Sequence, residues 1–131
     1  MFFNASDTLA KNKSYSSPRV KAALRRSVVR WPVHASSALL RIETVRALRR
    51  SGNDQLVGWA RRLLRTLHLV SIDEPMLDQA GDLAFAGLSS LDAVHLATAL
   101  ALGTEMGVLF TYDGRLREAA ESCGLTVAAP E

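Results

Sequence analysis

The 131-residue chain has one cysteine, Cys123, and no apolar run near the ~18 residues that span a bilayer. A single cysteine excludes an internal disulfide framework and a cysteine-rich zinc cluster. No basic start precedes a long apolar stretch, so we expect no secretory signal. The motifs G-x-S-x-G, Walker A and G-x-G-x-x-G are absent as well. Together these absences favour a cytoplasmic protein.

The chain is rich enough in apolar residues, at 48%, to form a core, so disorder is not expected. Its length suits one domain, residues 1–131, and is too short for two. The net charge of +3 hides an asymmetry. Residues 1–72 hold fourteen basic and three acidic residues, and residues 73–131 hold two basic and ten acidic ones. The basic half indicates either a nucleic-acid surface or solvated, arginine-rich helix faces.

Short apolar strands alternate with helices along the chain. This order predicts an α/β fold with a mostly parallel sheet covered by helices on both faces. In the predicted helix at 54–67, Asp54 is the expected cap, and six apolar residues are expected to face inward: Leu56, Trp59, Ala60, Leu63, Leu64 and Leu67. Strands are predicted at 1–4, 33–36, 68–72, 107–112 and 125–128, and helices at 17–29, 38–50, 54–67, 74–84, 91–102 and 113–123.

Three acids are candidate site residues: two stand where elements of such a sheet begin or end, and Glu43 stands in the middle of the predicted helix at 38–50. Asp113 directly follows a predicted strand, where it is either a site residue or a plain helix cap. Asp92 lies in the first turn of a mostly apolar helix, where the helix dipole alone would favour it. Glu43 lies on an apolar helix face and needs a partner, which is either a ligand or an arginine such as Arg46. If the three converge, hard oxygen ligands of this kind suit Mg²⁺ and metal-assisted attack of water on a phosphodiester.

Three segments together resemble the VapC branch of the PIN-domain family. They are Ser36–Glu43 (SSALLRIE), Ser89–Ala99 (SSLDAVHLATA) and Phe110–Leu116 (FTYDGRL). The resemblance covers roughly residues 33–131 and implies a three-layer α/β/α fold with a central, mostly parallel sheet of four to five short strands. It also implies an Mg²⁺- or Mn²⁺-dependent ribonuclease that cleaves structured RNA such as tRNA or rRNA, a VapB-type antitoxin partner and a homodimer.

The same resemblance assigns site residues. Glu43, Asp92 and Asp113 take three places of an acidic quartet, and Ser6 and Thr111 match polar residues beside it. The fourth place departs from the family pattern, because Asn4 stands where the first aspartate is expected. Asp7 is a substitute ligand only if a short insertion places it. Three options follow: an impaired enzyme, an inactivated copy, or a chain start that differs from the native one.

Other residues and functions remain as alternatives. His95 follows Asp92 by three residues, and we expect a core or interface histidine there rather than a metal ligand. The cluster Arg61, Arg62 and Arg65 is either a solvated face or a phosphate contact. Besides a ribonuclease, the sequence allows a PIN fold without useful catalysis that binds antitoxin or RNA. A third reading, a basic helical DNA-binding protein, is disfavoured by the strand-like segments.

Overall fold

The computed structural model of the chain describes the backbone of residues 2–3 and the whole of residues 17–131. Strands and helices alternate along these residues, as the sequence predicts. The strands are β1 (Phe2–Phe3), β2 (Ala35–Ser37), β3 (His68–Val70), β4 (Leu109–Phe110) and β5 (Val127–Ala128). The helices are α1 (Pro18–Val28), α2 (Leu40–Arg50), α3 (Val57–Leu64), α4 (Glu74–Gly81), α5 (Ser90–Ala101) and α6 (Gly114–Ser122), with short 3₁₀ turns at Asp54–Leu56 and Gly103–Glu105.

The five strands form one sheet in the order β3-β2-β1-β4-β5, and every pair is parallel. The central strand β1 pairs through Phe2 with Ala35 on one side, and through Phe3 with Phe110 on the other. Because all strands run the same way, their carboxyl ends lie along one edge of the sheet. The prediction of a mostly parallel sheet with four to five short strands is confirmed, and a purely helical protein is excluded.

Helices cover both faces of this sheet. Successive residues of β4 point to opposite sides, as strand geometry requires. Leu109 packs in a cluster with Leu96 of α5 and Leu116 of α6, whereas Phe110 packs with Leu24 of α1. The described residues therefore form the three layers that the sequence predicts. None of the helices among them has the length and apolar character to cross a membrane.

Helix α5 is the central helix of the domain. Leu96, Ala97 and Ala99 are fully buried in it, and it packs against both α4 and β2. Its start is determined locally, because the side chain of Ser89 accepts a hydrogen bond from the backbone N–H of Asp92. Such an N-cap satisfies one of the N–H groups that a helix leaves unpaired. The apolar segment that the sequence shows at 91–102 is therefore a buried helix whose start is fixed by Ser89.

The prediction for residues 54–67 is wrong in two respects. Ala60 and Leu64 are buried as predicted, but Leu56, Trp59 and Leu63 are 41%, 56% and 48% exposed, and Val57 is buried in their place. The predicted apolar face was too wide, and periodicity alone did not show which of its edges faces the core. Asp54 is not the cap: it is the first residue of the 3₁₀ turn, with Asn53 at the N-cap position, and its carboxylate lies 3.9 Å from Arg49 Nε.

One close approach in the fold requires a glycine. A Cβ atom on Gly107 would overlap the six-membered ring of Trp31, which packs against the α1 side of the sheet with Val108 and Phe110. The indole is large and rigid, and interiors are densely packed, so neither group can move aside without disturbing its neighbours. Gly107 therefore allows the segment before β4 to pass under Trp31.

We expect Gly107→Ala to lower the free energy of unfolding by about 1–3 kcal/mol, because the added methyl group displaces the Trp31 ring. Urea denaturation followed by tryptophan fluorescence measures the change. Gly81→Ala is the matched control, since nothing lies within 4 Å of a Cβ at that position. Equal stability of the two variants would show that the contact with Trp31 imposes no constraint.

Candidate active site

The three predicted acids all lie where a helix begins. Glu43 is in the first turn of α2, which follows β2. Asp92 is in the first turn of α5, and Asp113 is the N-cap of α6, shortly after β4. Because β2 and β4 are parallel, Glu43 and Asp113 follow the same edge of the sheet. A negative side chain is also favoured electrostatically at each helix start.

A chain of hydrogen bonds joins α5 to α2 and β2 at this edge. His95 Nε2 lies 2.9 Å from Glu43 Oε2, and His95 Nδ1 lies 3.0 Å from Ser37 Oγ. His95 and Ser37 are fully buried, and the Glu43 side chain is only 10% exposed. Since His95 follows Asp92 by one helical turn, this chain also brings the start of α5 to the edge that carries Glu43.

The types of side chain in this hydrogen-bond network indicate which atom donates in each bond. An ionised carboxylate can only accept a hydrogen bond, so Nε2 of His95 is the donor to Glu43. In a neutral ring Nδ1 is then the acceptor, and the Ser37 hydroxyl donates to it. Each of the three side chains thus fixes the orientation of the next, and the carboxylate of Glu43 has one oxygen committed to His95.

The other oxygen of that carboxylate, Oε1, is buried and has no hydrogen-bond partner among the described residues. A buried carboxylate oxygen without a partner costs free energy, because it is removed from water. The expected alternative of an ion pair with Arg46 is wrong, since Glu43 pairs with His95. Glu43 therefore holds one fixed oxygen and one oxygen that is available to a ligand.

Asp92 is held at the start of α5 by reciprocal hydrogen bonds with Ser89. The Ser89 hydroxyl donates to Asp92 Oδ2 at 2.6 Å and accepts from the Asp92 backbone N–H at 3.2 Å. Asp92 is 8% exposed, so its carboxylate is nearly buried. The short distance is typical of a hydroxyl bound to a charged acceptor. This arrangement fixes the side-chain rotamer of Asp92.

Asp113 does act as the helix cap that the alternative interpretation predicts. Its Oδ1 accepts a hydrogen bond from the backbone N–H of Leu116 at 2.8 Å. Its own N–H donates to Thr111 Oγ1 at 3.1 Å, and Thr111 is buried. Thr111 thus lies directly beside Asp113. A capping bond uses one carboxylate oxygen and is compatible with a further role for the other.

The structure joins these residues in pairs and does not collect all the carboxylates into one tight group. Among residues 2–3 and 17–131, no three His, Cys, Asp or Glu side chains are grouped closely enough to hold a metal ion. Asn4, Ser6 and Asp7 lie outside the described residues. The register shows that β1 ends beside β4, with Phe3 opposite Phe110.

Sequence reasoning missed the partner of Glu43. Ser37 is the last residue of β2 and was not predicted to have a role. His95 was expected to be a core or interface histidine. His95 is indeed fully buried, yet it also binds the site carboxylate. The available signal was its position three residues after Asp92, which places both side chains on one side of α5.

The residues from just before α1 to the end of α6 match a known family. The family model of the PIN domain matches residues 16–122. This chain belongs to the PIN-domain family. The match covers more than half of the chain, and it confirms the resemblance that the three sequence segments indicate.

Curated relatives of this PIN domain carry the VapC name. The chain is 45% identical over 108 residues to Ribonuclease VapC46 of Mycobacterium tuberculosis strain H37Rv. This alignment covers 82% of each of the two proteins. It is 36% identical over 96 residues to Ribonuclease VapC47 of strain CDC 1551, covering 73% of this chain and 71% of the relative. It is 39% identical over 107 residues to Ribonuclease VapC35 of Mycobacterium tuberculosis strain CDC 1551, and the alignment covers 80% of this chain and 76% of the relative. No solved structure matches the chain significantly.

The contact between His95 and Glu43 is expected to contribute to the free energy of unfolding of this PIN domain. We expect His95→Leu to lower the free energy of unfolding by about 2–4 kcal/mol, because it leaves a buried carboxylate without its donor. His95→Gln should be less destabilising, since its amide can still donate. The double variant Glu43→Leu/His95→Leu removes both polar partners. Its loss of stability should therefore be smaller than the sum of the losses in Glu43→Leu and His95→Leu, by on the order of 1 kcal/mol.

Urea denaturation of the single and double variants measures this coupling as a double-mutant cycle. Additive effects, with His95→Gln as unstable as His95→Leu, would mean that the hydrogen bond contributes nothing to folding.

Proposed function

We propose that the protein is a metal-dependent endoribonuclease toxin of the VapC type. The observation that carries the proposal is Glu43, whose carboxylate is buried, oriented by His95 and left with Oε1 unpaired. A divalent cation is the partner that such an oxygen lacks. The names of the relatives, all ribonucleases, favour the same activity.

Glu43, Asp92 and Asp113 are the proposed metal ligands and catalytic residues, with Asn4 as a fourth ligand through its carbonyl oxygen. Their donors are hard oxygens, the type that Mg²⁺ and Mn²⁺ prefer, and Mg²⁺ retains several waters. A loose arrangement of carboxylates, bridged in part by water, therefore fits this ion. Asp7 is a substitute for Asn4 in the same proposal, and Ser6 and Thr111 are polar neighbours.

Each protein group has a defined task in this proposal. When bound, Mg²⁺ or Mn²⁺ acts as a Lewis acid that favours attack by water and balances charge on the phosphodiester. Glu43, held by His95, keeps a negative oxygen directed into the site. Asp92 and Asp113, fixed by Ser89 and by the start of α6, supply the remaining negative charge. These rotamers are set before substrate arrives, so little ordering is needed at the moment of reaction.

The proposal extends to the biological setting. The substrate is structured RNA such as tRNA or rRNA, and a VapB-type antitoxin neutralises the activity. We also propose a homodimer, a cytoplasmic location and a single domain over residues 1–131. The names of the relatives support the toxin class, and the sheet formed from both ends of the described residues supports one domain.

Asn4 favours a second candidate function. An amide at the first acidic place of the quartet supplies no charge, so a PIN fold with weakened metal binding could serve as an antitoxin- or RNA-binding module. This alternative keeps the fold and the partners but not the cleavage.

Asp92→Asn tests the metal site. We expect it to weaken Mn²⁺ binding by at least about tenfold and to abolish metal-dependent cleavage, because it removes a buried negative ligand. Isothermal titration with Mn²⁺ and cleavage of a labelled RNA hairpin give the two readouts. Asp78→Asn, an exposed acid on α4, is the control and should behave as the unmodified chain does. RNase activity that survives Asp92→Asn would contradict the assignment.

Asn4→Asp separates the two candidate functions. We expect the added carboxylate to tighten Mn²⁺ binding by at least about tenfold, through its negative charge. A parallel rise in cleavage indicates an impaired enzyme whose site the substitution completes. Unchanged metal binding and cleavage in a folded variant would exclude Asn4 from the site and favour Asp7 or a dispensable fourth ligand.

A further inference from the structure

Helices α2 and α3 enclose a groove of about 520 Å³ whose walls are strongly basic. Four arginines line it, two from each side, and its floor is apolar. All four arginines are exposed at the surface. The lining arginines are Arg41, Arg46, Arg61 and Arg65, and the apolar lining is Ile42, Val45 and Leu64.

Among residues 17–131, no acidic side chain neutralises the positive charge of this groove. The described lining contains no acidic residue, and none of the four guanidinium groups forms an ion pair or a side-chain hydrogen bond with another described residue. By contrast, Arg49, one turn further along α2, lies 3.9 Å from Asp54. Four guanidinium groups held close together without counter-charges repel one another, and a polyanion relieves that repulsion.

The groove continues toward the candidate active site. A second, smaller groove of about 180 Å³ is lined by Glu43 together with Arg50 and Leu91. Arg46 and Ile42 line both grooves, and Arg46 follows Glu43 by less than one turn of α2. An extended polymer bound along the basic groove would therefore pass beside the Glu43 side chain.

We propose that the α2–α3 groove binds the phosphate backbone of the RNA substrate and directs it to Glu43. This inference rests on the proposed function, because RNA is the substrate class of that activity. Guanidinium forks match phosphate oxygens two bonds at a time. The carboxylates of the site repel RNA, so a neighbouring row of unpaired arginines supplies the attraction that the site itself lacks.

The structure also divides the arginine cluster of α3. Arg61 and Arg65 line the groove, whereas Arg62 does not; its Nη1 lies near Gly58 instead. Arg62 has the same charge and lies on the same helix, so Arg62→Gln is the control for loss of one positive charge outside the groove, matched to Arg61→Gln alone. The cluster that the sequence left undecided thus separates into two groove residues and one residue outside the groove.

The experiment measures RNA binding without metal. Fluorescence anisotropy with a labelled RNA hairpin in EDTA reports affinity, since no cleavage takes place. We expect Arg61→Gln/Arg65→Gln to weaken binding roughly tenfold and to reduce the slope of log affinity against log salt by about 0.7–0.9 for each phosphate that is no longer neutralised. Arg62→Gln should leave affinity and slope nearly unchanged. Circular dichroism verifies that all variants are folded.

Several outcomes would overturn the inference. Wild-type affinity in the double variant, an equal decrease in Arg62→Gln, or no RNA binding by the unmodified chain would each exclude the groove. If the double variant fails to bind an acidic peptide but still binds RNA normally, the groove is a protein-docking surface instead. Failure of the proposed function is read separately, as absence of Mn²⁺ binding and cleavage, because the anisotropy measurement contains no metal.

Discussion

The buried contact between Glu43 and His95 is the interaction on which the candidate site depends. A carboxylate that is 10% exposed gives up most of its hydration, a cost of several kcal/mol unless a partner replaces the water. His95 supplies one hydrogen bond and is itself positioned by Ser37. The same contact holds α5 against α2 and the end of β2. The geometry of the candidate site and the packing between layers therefore share one network of polar side chains.

Electrostatics explains why the acids and arginines lie where they do. Glu43, Asp92 and Asp113 each occupy a helix start, where the unpaired N–H groups and the dipole offset part of the cost of a carboxylate. The groove arginines of α2 and α3 stay in water, where their charge is hydrated. Folding brings Arg61 and Arg65 beside the helix that carries Glu43.

Much of the fold follows from local patterns. Short apolar segments between amphipathic helices specify a parallel sheet, and Ser89 and Asp113 specify where α5 and α6 begin. The strands are shorter than the apolar segments that contain them, because only residues with a paired neighbour form the ladder. Trp59 shows the limit of such patterns. Its spacing fits a buried stripe, but α3 packs through Val57, Ala60 and Leu64, and the indole remains exposed.

The sequence by itself determined the α/β class, the positions of Asp92 and Asp113 at helix starts and the concentration of arginine in the first half of the chain. Each of these is a property of one element and its immediate neighbours. Only the tertiary structure decided that Glu43 pairs with His95, 52 positions away, and that Arg61 shares a groove with Arg46 while Arg62 does not. Such pairings depend on how helices pack across the sheet, and packing depends on contacts between residues far apart in the chain.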